Sequence, residues 1–192
     1  MTASMAATAK HQPRPGGAVL RPLPAALPRS PRQTAQPEGL LQVHTAPFRG
    51  SFSGVFSQAL RSAGLGSRVL ISQFLKGGVD QGVDRSVWLC GRLQWLRPAV
   101  AACLAEPVLP ADREAVQEVW AYTREQLLAG GLDLLVLDEL GLAVELGYLS
   151  ASDVTAALEQ RPSHLDVILT GPSMPAALLA MADQVTQLRR GL

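Results

Sequence analysis

The chain has 192 residues, 47% of them apolar, which suits one domain with a core large enough to fold without disulfides. A formal net charge of +1, with only 17% of residues charged, excludes a global field that would attract nucleic acid or an anionic membrane. No stretch approaches the roughly 18 apolar residues of a membrane-spanning helix, and Cys90 and Cys103 lack zinc-ligand spacing, so we expect a cytoplasmic protein with reduced thiols.

The first 37 residues carry five basic residues, seven prolines and no acidic residue. Because this density of proline interrupts helices, residues 1–39 are predicted to form a disordered cationic arm. A cleaved organelle transit peptide also lacks acidic residues and is the alternative interpretation. Residues 40–192 are predicted to form the folded domain.

From residue 40 onward, short apolar runs alternate with helical patterns, as in a parallel sheet with crossover helices. The first half contains three predicted elements, namely a strand at Leu40 to His44, a helix at Ser53 to Ala63 and a strand at Arg68 to Phe74. The helix is predicted to bury Val55, Phe56, Ala59 and Leu60. Glycines and prolines divide residues 75–109, where we expect one strand near Ser86 to Leu89 within irregular structure.

The second half begins with an amphipathic helix at Asp112 to Ala129, whose predicted inner face comprises Val116, Val119, Trp120, Leu127 and Leu128. The next predicted elements are a buried strand at Leu132 to Asp138, a helix capped by Ser150 that runs to Gln160, and a strand at Leu165 to Thr170. A short helix at Pro175 to Ala182 and a strand at Gln184 to Leu188 complete the pattern. The sequence therefore predicts an α/β fold with a doubly wound, mainly parallel sheet and flanking helices, with ligands outside the carboxyl ends of the strands.

Three separated segments carry recognisable motifs. A phosphate-loop pattern, a helix and a strand closing in Gln-Phe-x-Lys-Gly follow one another from Thr45, in TAPFRGSFSGVFSQALRSAGLGSRVLISQFLKG. A strand ending in Asp138 and Glu139, and a later strand ending in Leu-Thr-Gly, lie within LDLLVLDELGLAVELGYLSASDVTAALEQRPSHLDVILTG. The last segment is MPAALLAMADQVTQLR. Over residues 40 to 190, these segments in this order resemble the ATP:corrinoid (cob(I)alamin) adenosyltransferase family.

The resemblance implies a RecA-like P-loop NTPase fold. It also implies transfer of the adenosyl group of ATP to the cobalt of a reduced corrinoid, with release of triphosphate. ATP, magnesium and a corrinoid are the ligands that this activity requires. A homodimer is a further expectation taken from the family.

The phosphate loop departs from the working pattern GxxxxGK(S/T), in which backbone N–H groups and a lysine hold phosphate and a hydroxyl holds magnesium. Residues Ala46 to Ser53 make up most of this loop, and of the two glycines in the pattern only the second remains, as Gly50. The lysine position is Ser51 and the hydroxyl position is Phe52. Losing several charge-assisted bonds, at about 1.5 to 3 kcal/mol each, is expected to weaken triphosphate binding by orders of magnitude.

Other features of the site are retained. Arg49 supplies a cation where the family also has one, and Ser51 and Ser53 provide hydroxyls for a weak anion site at the helix N-terminus. The resemblance implies that Asp138 and Glu139 form a Walker B pair that organises magnesium and water. The alternative is that this pair supplies an N-terminal acid and cap to the next helix.

The remaining singular residues carry weaker signals. His44 and His164 are interpreted as residues at strand ends rather than ligands. Trp88, Trp95 and Trp120 are expected to pack in the core or against a partner, with stacking on a flat ligand as the alternative.

Three functions remain open from the sequence. The favoured one is a relative that keeps the fold, has weakened or lost adenosyl transfer, and serves in binding or regulation. The second is an active corrinoid adenosyltransferase with an atypical phosphate loop. The third is a protein-interaction scaffold.

Overall fold

The computed structural model describes residues 38–50, 52–78 and 82–189. The predicted arm lies outside these ranges except for its last two residues, and Ser51 lies outside them as well. Within the described ranges, no helix is both long enough and apolar enough to cross a bilayer.

Seven strands form one sheet in the spatial order β3-β4-β2-β5-β6-β1-β7. The strands are β1 (Leu41–Thr45), β2 (Val69–Gln73), β3 (Val87–Leu89), β4 (Leu93–Leu96), β5 (Leu134–Asp138), β6 (Asp166–Gly171) and β7 (Gln184–Gln187). All neighbouring pairs are parallel except β3 with β4. The mainly parallel sheet confirms the predicted fold class.

Helices cover both faces of the sheet. They are α1 (Ser53–Gly64), α2 (Pro110–Leu128), α3 (Leu140–Glu145), α4 (Ala151–Glu159) and α5 (Ala176–Met181). On one face, Ile71 and Val136 form a cluster with Val55 and Ala59 of α1. Alternate strand residues point to the other face, where they form the larger cluster with α2 to α5. The continuous apolar runs of the central strands reflect burial on both faces.

Two elements differ from the sequence prediction. Residues 93–96 form a strand, β4, where irregular structure was expected. The polar residues Arg92 and Gln94 interrupt the apolar pattern here, so the sequence does not predict this short strand. Pairing with β2, which begins with Val69 and Leu93, stabilises it. A six-residue helix, α3, also follows Glu139 and was not predicted as a separate element.

Two leucines assigned to helix inner faces were predicted wrongly. Leu60 and Leu128 are exposed. In α1, Val55, Ala59 and Ala63 form a narrow stripe of every fourth residue, and Leu60 lies about 100° around the helix from Ala59. Leu128 lies outside the buried stripe of α2 for the same reason.

Candidate functional site

Three polar side chains form a row at the carboxyl end of the sheet. The register pairs Gln73 of β2 with Asp138 of β5, and Asp138 with Thr170 of β6. All three residues are buried. Because paired residues on parallel strands point to the same face, their side chains meet across the strands.

Asp138 is fully buried and all its neighbours in this row donate to it. Its Oδ2 atom accepts hydrogen bonds from Gln73 Nε2 at 2.7 Å and from Lys76 Nζ at 2.8 Å. Its Oδ1 atom accepts one from Thr170 Oγ1 at 2.7 Å. The ammonium of Lys76 thus neutralises a carboxylate that would otherwise be an unpaired charge in the core.

A second layer of donors fixes the amide of Gln73. Its Oε1 atom accepts hydrogen bonds from Trp95 Nε1 at 2.9 Å and from Arg97 Nε at 2.8 Å. The Arg97 guanidinium also lies 5.9 Å from the centre of the Trp95 ring. With its oxygen occupied in this way, Gln73 presents its amide NH₂ group to Asp138.

Glu139 is 1% exposed and lies in the left-handed backbone region, with φ of 61°. This conformation is costly for a residue other than glycine and turns the chain sharply from β5 into α3. Gly171 makes room for the turn, because a Cβ atom there would lie 3.3 Å from Glu139 Cα. Glu139 occupies the N-cap position of α3, as the alternative interpretation expected, but its side chain makes no capping hydrogen bond. A capping role for this side chain is therefore wrong, although its place at the N-terminus of the helix is as expected.

The carboxylate of Glu139 instead pairs with Arg49. Arg49 Nε donates to Oε1 at 2.9 Å and Nη2 donates to Oε2 at 2.7 Å, which is a bidentate geometry. The guanidinium also donates to the backbone carbonyls of Leu104 and Leu75, at 2.8 and 3.4 Å. The hydrogen bond with Glu139 is the main cause that raises the pKa of Arg49 above its ordinary value.

Phe52 turns into the core. Its side chain is 3% exposed and belongs to the cluster under α1 that includes Ala46 and Val55. Ser53, the first residue of α1, is exposed. Gly50 has a φ of 85°, which favours glycine at this position.

The histidines and cysteines lie at separate places in the fold. His44 is half-buried in β1, and burial lowers its pKa below the ordinary value of 6.5. His164 is exposed just before β6. Cys90 and Cys103 are both exposed, free thiols. The described residues include no group of three or more histidine, cysteine or acidic side chains arranged to hold a metal ion.

The three tryptophans divide between core and surface. Trp95 stacks on Phe56 of α1 with ring centres 5.2 Å apart, and Trp120 is buried and donates to Asp153. Trp88 is 61% exposed and is therefore not a core residue, which leaves the other two expectations for it, packing against a partner or stacking on a flat ligand, untested. Trp88 is the second residue of the short edge strand β3, whose outer side lacks a neighbouring strand within the described residues.

Sequence reasoning missed Gln73, Lys76 and Thr170 as site residues. Each nevertheless lies in a motif that was recognised, Gln73 and Lys76 in Gln-Phe-x-Lys-Gly and Thr170 in Leu-Thr-Gly. A polar residue that ends an otherwise apolar parallel strand was the available signal, because strand ends of a parallel sheet meet at one edge.

The comparisons with known proteins decide the family. The model of the family described as ATP:corrinoid adenosyltransferase BtuR/CobO/CobP matches residues 37–191. The chain belongs to this family. The Corrinoid adenosyltransferase of Escherichia coli strain K12 is 31% identical over 157 residues, 82% of this chain and 80% of that protein. The Corrinoid adenosyltransferase CobA of Salmonella typhimurium is 32% identical over the same shares, and the Corrinoid adenosyltransferase of Pseudomonas aeruginosa is 26% identical over 81% of this chain and 77% of its own.

The side chains of Arg49, Gln73, Lys76, Asp138, Glu139 and Thr170 form what we call the carboxyl-end site, and the match to the corrinoid adenosyltransferase family includes all of them. Arg49 and Phe52 from the phosphate-loop segment lie within it, as do Asp138 at the end of β5 and Glu139 directly after it. Nearly all of the predicted arm lies outside the match. The phosphate-loop segment therefore lies inside the range that the family model matches.

Proposed function

We propose that this chain is a corrinoid adenosyltransferase relative in which ATP-dependent adenosyl transfer is weakened or lost, and that it serves in binding or regulation. The observation that carries the proposal is the bidentate pair between Arg49 and Glu139. A cation of the phosphate-loop segment is thereby bound to a carboxylate of the chain itself. It is not free to meet the oxygens of a triphosphate.

The two Walker B candidates do not fit a magnesium ion in this arrangement. Magnesium requires oxygen ligands in near-ideal octahedral geometry. Both oxygens of Asp138 already accept hydrogen bonds, and both oxygens of Glu139 bind the Arg49 guanidinium. A metal ion would have to displace Lys76 and Arg49, two cations that are held by hydrogen bonds and short ion pairs.

The aromatic side chain at the hydroxyl position supports the same proposal. Phe52 is buried against α1, so its place in the loop serves packing. A phenyl ring offers no ligand to magnesium. Replacing the ring by a hydroxyl would also remove a buried side chain that contributes about 2 to 3 kcal/mol to folding.

An active corrinoid adenosyltransferase with an atypical loop is the second candidate. It is favoured by the position of Asp138 and Glu139 at the carboxyl end of β5, where a parallel sheet of this type binds its ligands. The relatives in Escherichia coli and Salmonella typhimurium are named corrinoid adenosyltransferases, which also favours this candidate. This candidate requires Arg49 to leave Glu139 when nucleotide binds.

Calorimetric titration separates the two candidates. Purified full-length chain is titrated with magnesium-ATP and, separately, with cobalamin, and cob(I)alamin adenosylation is assayed in parallel. The proposal expects the dissociation constant of magnesium-ATP to be millimolar or weaker, and it expects no adenosylation of cob(I)alamin. Micromolar binding together with turnover would establish the active enzyme instead. Binding of cobalamin alone would assign the retained role to the corrinoid.

A restoration experiment tests the loop directly. We expect Ser51→Lys with Phe52→Thr to bind magnesium-ATP at least about tenfold more tightly than the wild-type chain, because the lysine returns one charge-assisted contact. Ser51→Gln with Phe52→Thr is the matched control, since it alters length and packing in the same way without the charge. Ser51→Lys alone keeps the Phe52 ring and guards against misfolding. Equal binding by lysine and glutamine variants would contradict the proposal.

A further inference from the structure

A cavity of about 570 Å³ opens at the end of the sheet opposite to the carboxyl-end site. It lies between the β3–β4 hairpin, the last turns of α2 and the residues that precede β2 and β5. We call it the hairpin cavity and define it by Arg68, Trp88, Cys90, Arg92, Gln94, Tyr122, Gln126 and Leu132. Its volume lies within the range of about 300 to 1,000 Å³ that is usual for small-molecule sites.

The floor of the hairpin cavity is polar and fixed. Gln94 is 8% exposed and accepts a hydrogen bond from Tyr122 Oη at 2.8 Å. Its amide nitrogen donates to Ser86 Oγ at 2.9 Å. A floor whose groups are already hydrogen-bonded to one another demands no further polar partner, and a flat ring can cover it without leaving a buried group unpaired.

An aromatic wall stands over this floor. Trp88 pairs directly across the hairpin with Gln94, so the two side chains lie on the same face of the sheet. The indole is 61% exposed although it lines the cavity. An indole gains most from burial against another flat apolar surface, and this one retains most of its area for such a contact.

The charge of the lining is positive. Arg68 and Arg92 both line the cavity, and the lining includes no acidic residue. Arg68 is partly neutralised by Asp133, whose Oδ2 atom lies 3.6 Å from its Nε atom. Arg92 makes no ion pair with any residue in the described ranges. Its guanidinium therefore remains available for an anion beside the Trp88 ring.

We propose that the hairpin cavity binds a planar aromatic compound that carries an anionic group, with Trp88 stacking on the ring and Arg92 pairing with the anion. This site is separate from the carboxyl-end site and does not depend on the proposed function. The two sites lie at opposite ends of the strands, as Arg68 precedes β2 and Gln73 ends it.

The test uses a matched pair of fluorescent probes and the full-length chain. The first is 1-anilinonaphthalene-8-sulfonate, and the second is N-phenyl-1-naphthylamine, which is the same ring system without the sulfonate. The sulfonate probe is expected to bind with one-to-one stoichiometry and more tightly than the neutral probe. Trp88→Ala is expected to weaken both probes about fivefold or more through loss of stacking. Arg92→Gln is expected to weaken only the sulfonate probe, by about two- to fivefold.

Two control variants remove equivalent groups elsewhere. Arg113→Gln removes an exposed cation of α2, and Leu65→Ala removes a side chain that is 89% exposed at the end of α1. Neither is expected to change the affinity of either probe. Circular dichroism and unfolding midpoints establish that all variants fold. The titration of magnesium-ATP is repeated in Trp88→Ala, so that nucleotide bound in the hairpin cavity is not attributed to the phosphate loop.

Several results would overturn the proposal. Failure of the sulfonate probe to bind, or affinities unchanged by both Trp88→Ala and Arg92→Gln, would exclude a site of this chemistry. Sedimentation supplies a further outcome. If the wild-type chain is a dimer and Trp88→Ala is a monomer, the indole is covered by a second copy of the chain, and the small-molecule site is wrong.

Discussion

The side chains of Arg49 and Glu139 form a bidentate ion pair in the carboxyl-end site. Glu139 is 1% exposed, whereas the Arg49 side chain is 36% exposed. Removing the cation leaves an uncompensated buried carboxylate, which costs more than the pair itself contributes. Solvent reaches the arginine and reduces the effect relative to a fully buried pair.

We expect Arg49→Met to lower the free energy of unfolding by about 1 to 3 kcal/mol, because Glu139 loses its only short cationic partner among the described residues. Urea unfolding followed by circular dichroism measures the change. Adding Glu139→Gln to Arg49→Met should recover part of the loss, since the buried charge is then gone. Arg113→Met, on an exposed face of α2, is the control and should be close to neutral. A double variant less stable than Arg49→Met would contradict this account.

We expect His44 to make the stability of the protein depend on pH. Its pKa is lowered by burial, so the unfolded chain binds the proton more readily than the folded chain. The stabilising contribution of neutral His44 is therefore complete above the ordinary value of 6.5 and is lost as the pH falls below it toward the folded pKa. We expect His44→Gln to show a smaller loss of unfolding midpoint between about pH 7 and pH 5 than the wild-type chain.

At the scale of elements, α3 depends on a close approach to the segment after β6. A Cβ atom on Gly141 would lie 2.2 Å from the backbone oxygen of Ser173 and 3.0 Å from Met174 Cα. Both obstacles are backbone atoms, so the segments themselves would have to separate. This contact sets the position of the helix that follows Glu139.

We expect Gly141→Ala to destabilise the protein by about 1 to 3 kcal/mol, as overpacking usually does. Gly54→Ala provides the matched control, since Gly54 lies in α1 and a Cβ atom there meets nothing within 4 Å. That substitution should be neutral or stabilising by up to about 1 kcal/mol. Thermal unfolding of the two variants gives the comparison. Similar midpoints for both variants would contradict this prediction, because they would mean that α3 moves away from Ser173 and Met174 at little cost in free energy.

Elements with a strong local pattern were predictable from the sequence. The run that became β5 and the amphipathic pattern of α2 gave elements close to their observed bounds. By contrast, β4 owes its existence to a neighbour 24 residues earlier, because Leu93 pairs with Val69. Such pairing leaves no periodicity within a four-residue strand, and local pattern alone could not reveal it.

At the scale of the whole molecule, the strand order decides which polar groups meet. Asp138 bonds to Lys76, 62 residues earlier, and to Thr170, 32 residues later. The sequence predicted the acidic residues at a strand end, but the donors to Asp138 come from β6 and from the end of β2, so they depend on these two strands flanking β5. The sequence could not predict the bidentate contact of Arg49 either, since it joins a loop residue to Glu139, 90 positions later.

The two ion pairs of the carboxyl-end site predict how the folded chain responds to magnesium. Because Lys76 and Arg49 already balance Asp138 and Glu139, we expect 10 mM magnesium chloride to leave the unfolding midpoint within about 1 °C of that in chelator, at matched ionic strength set with potassium chloride.

Removing both cations should create the metal response that the wild-type chain lacks. In Arg49→Met with Lys76→Met, the two carboxylates lose their partners, and a site of millimolar affinity would raise the midpoint by about 3 to 6 °C in 10 mM magnesium chloride. Arg49→Gln alone keeps Lys76 on Asp138 and serves as the milder variant if the double one is too unstable to fold. A wild-type midpoint that rises in magnesium chloride but not in potassium chloride would mean that the carboxylates release their cations and bind the metal. The chain would then have retained the metal half of a phosphate site, and the active adenosyltransferase would become the better account.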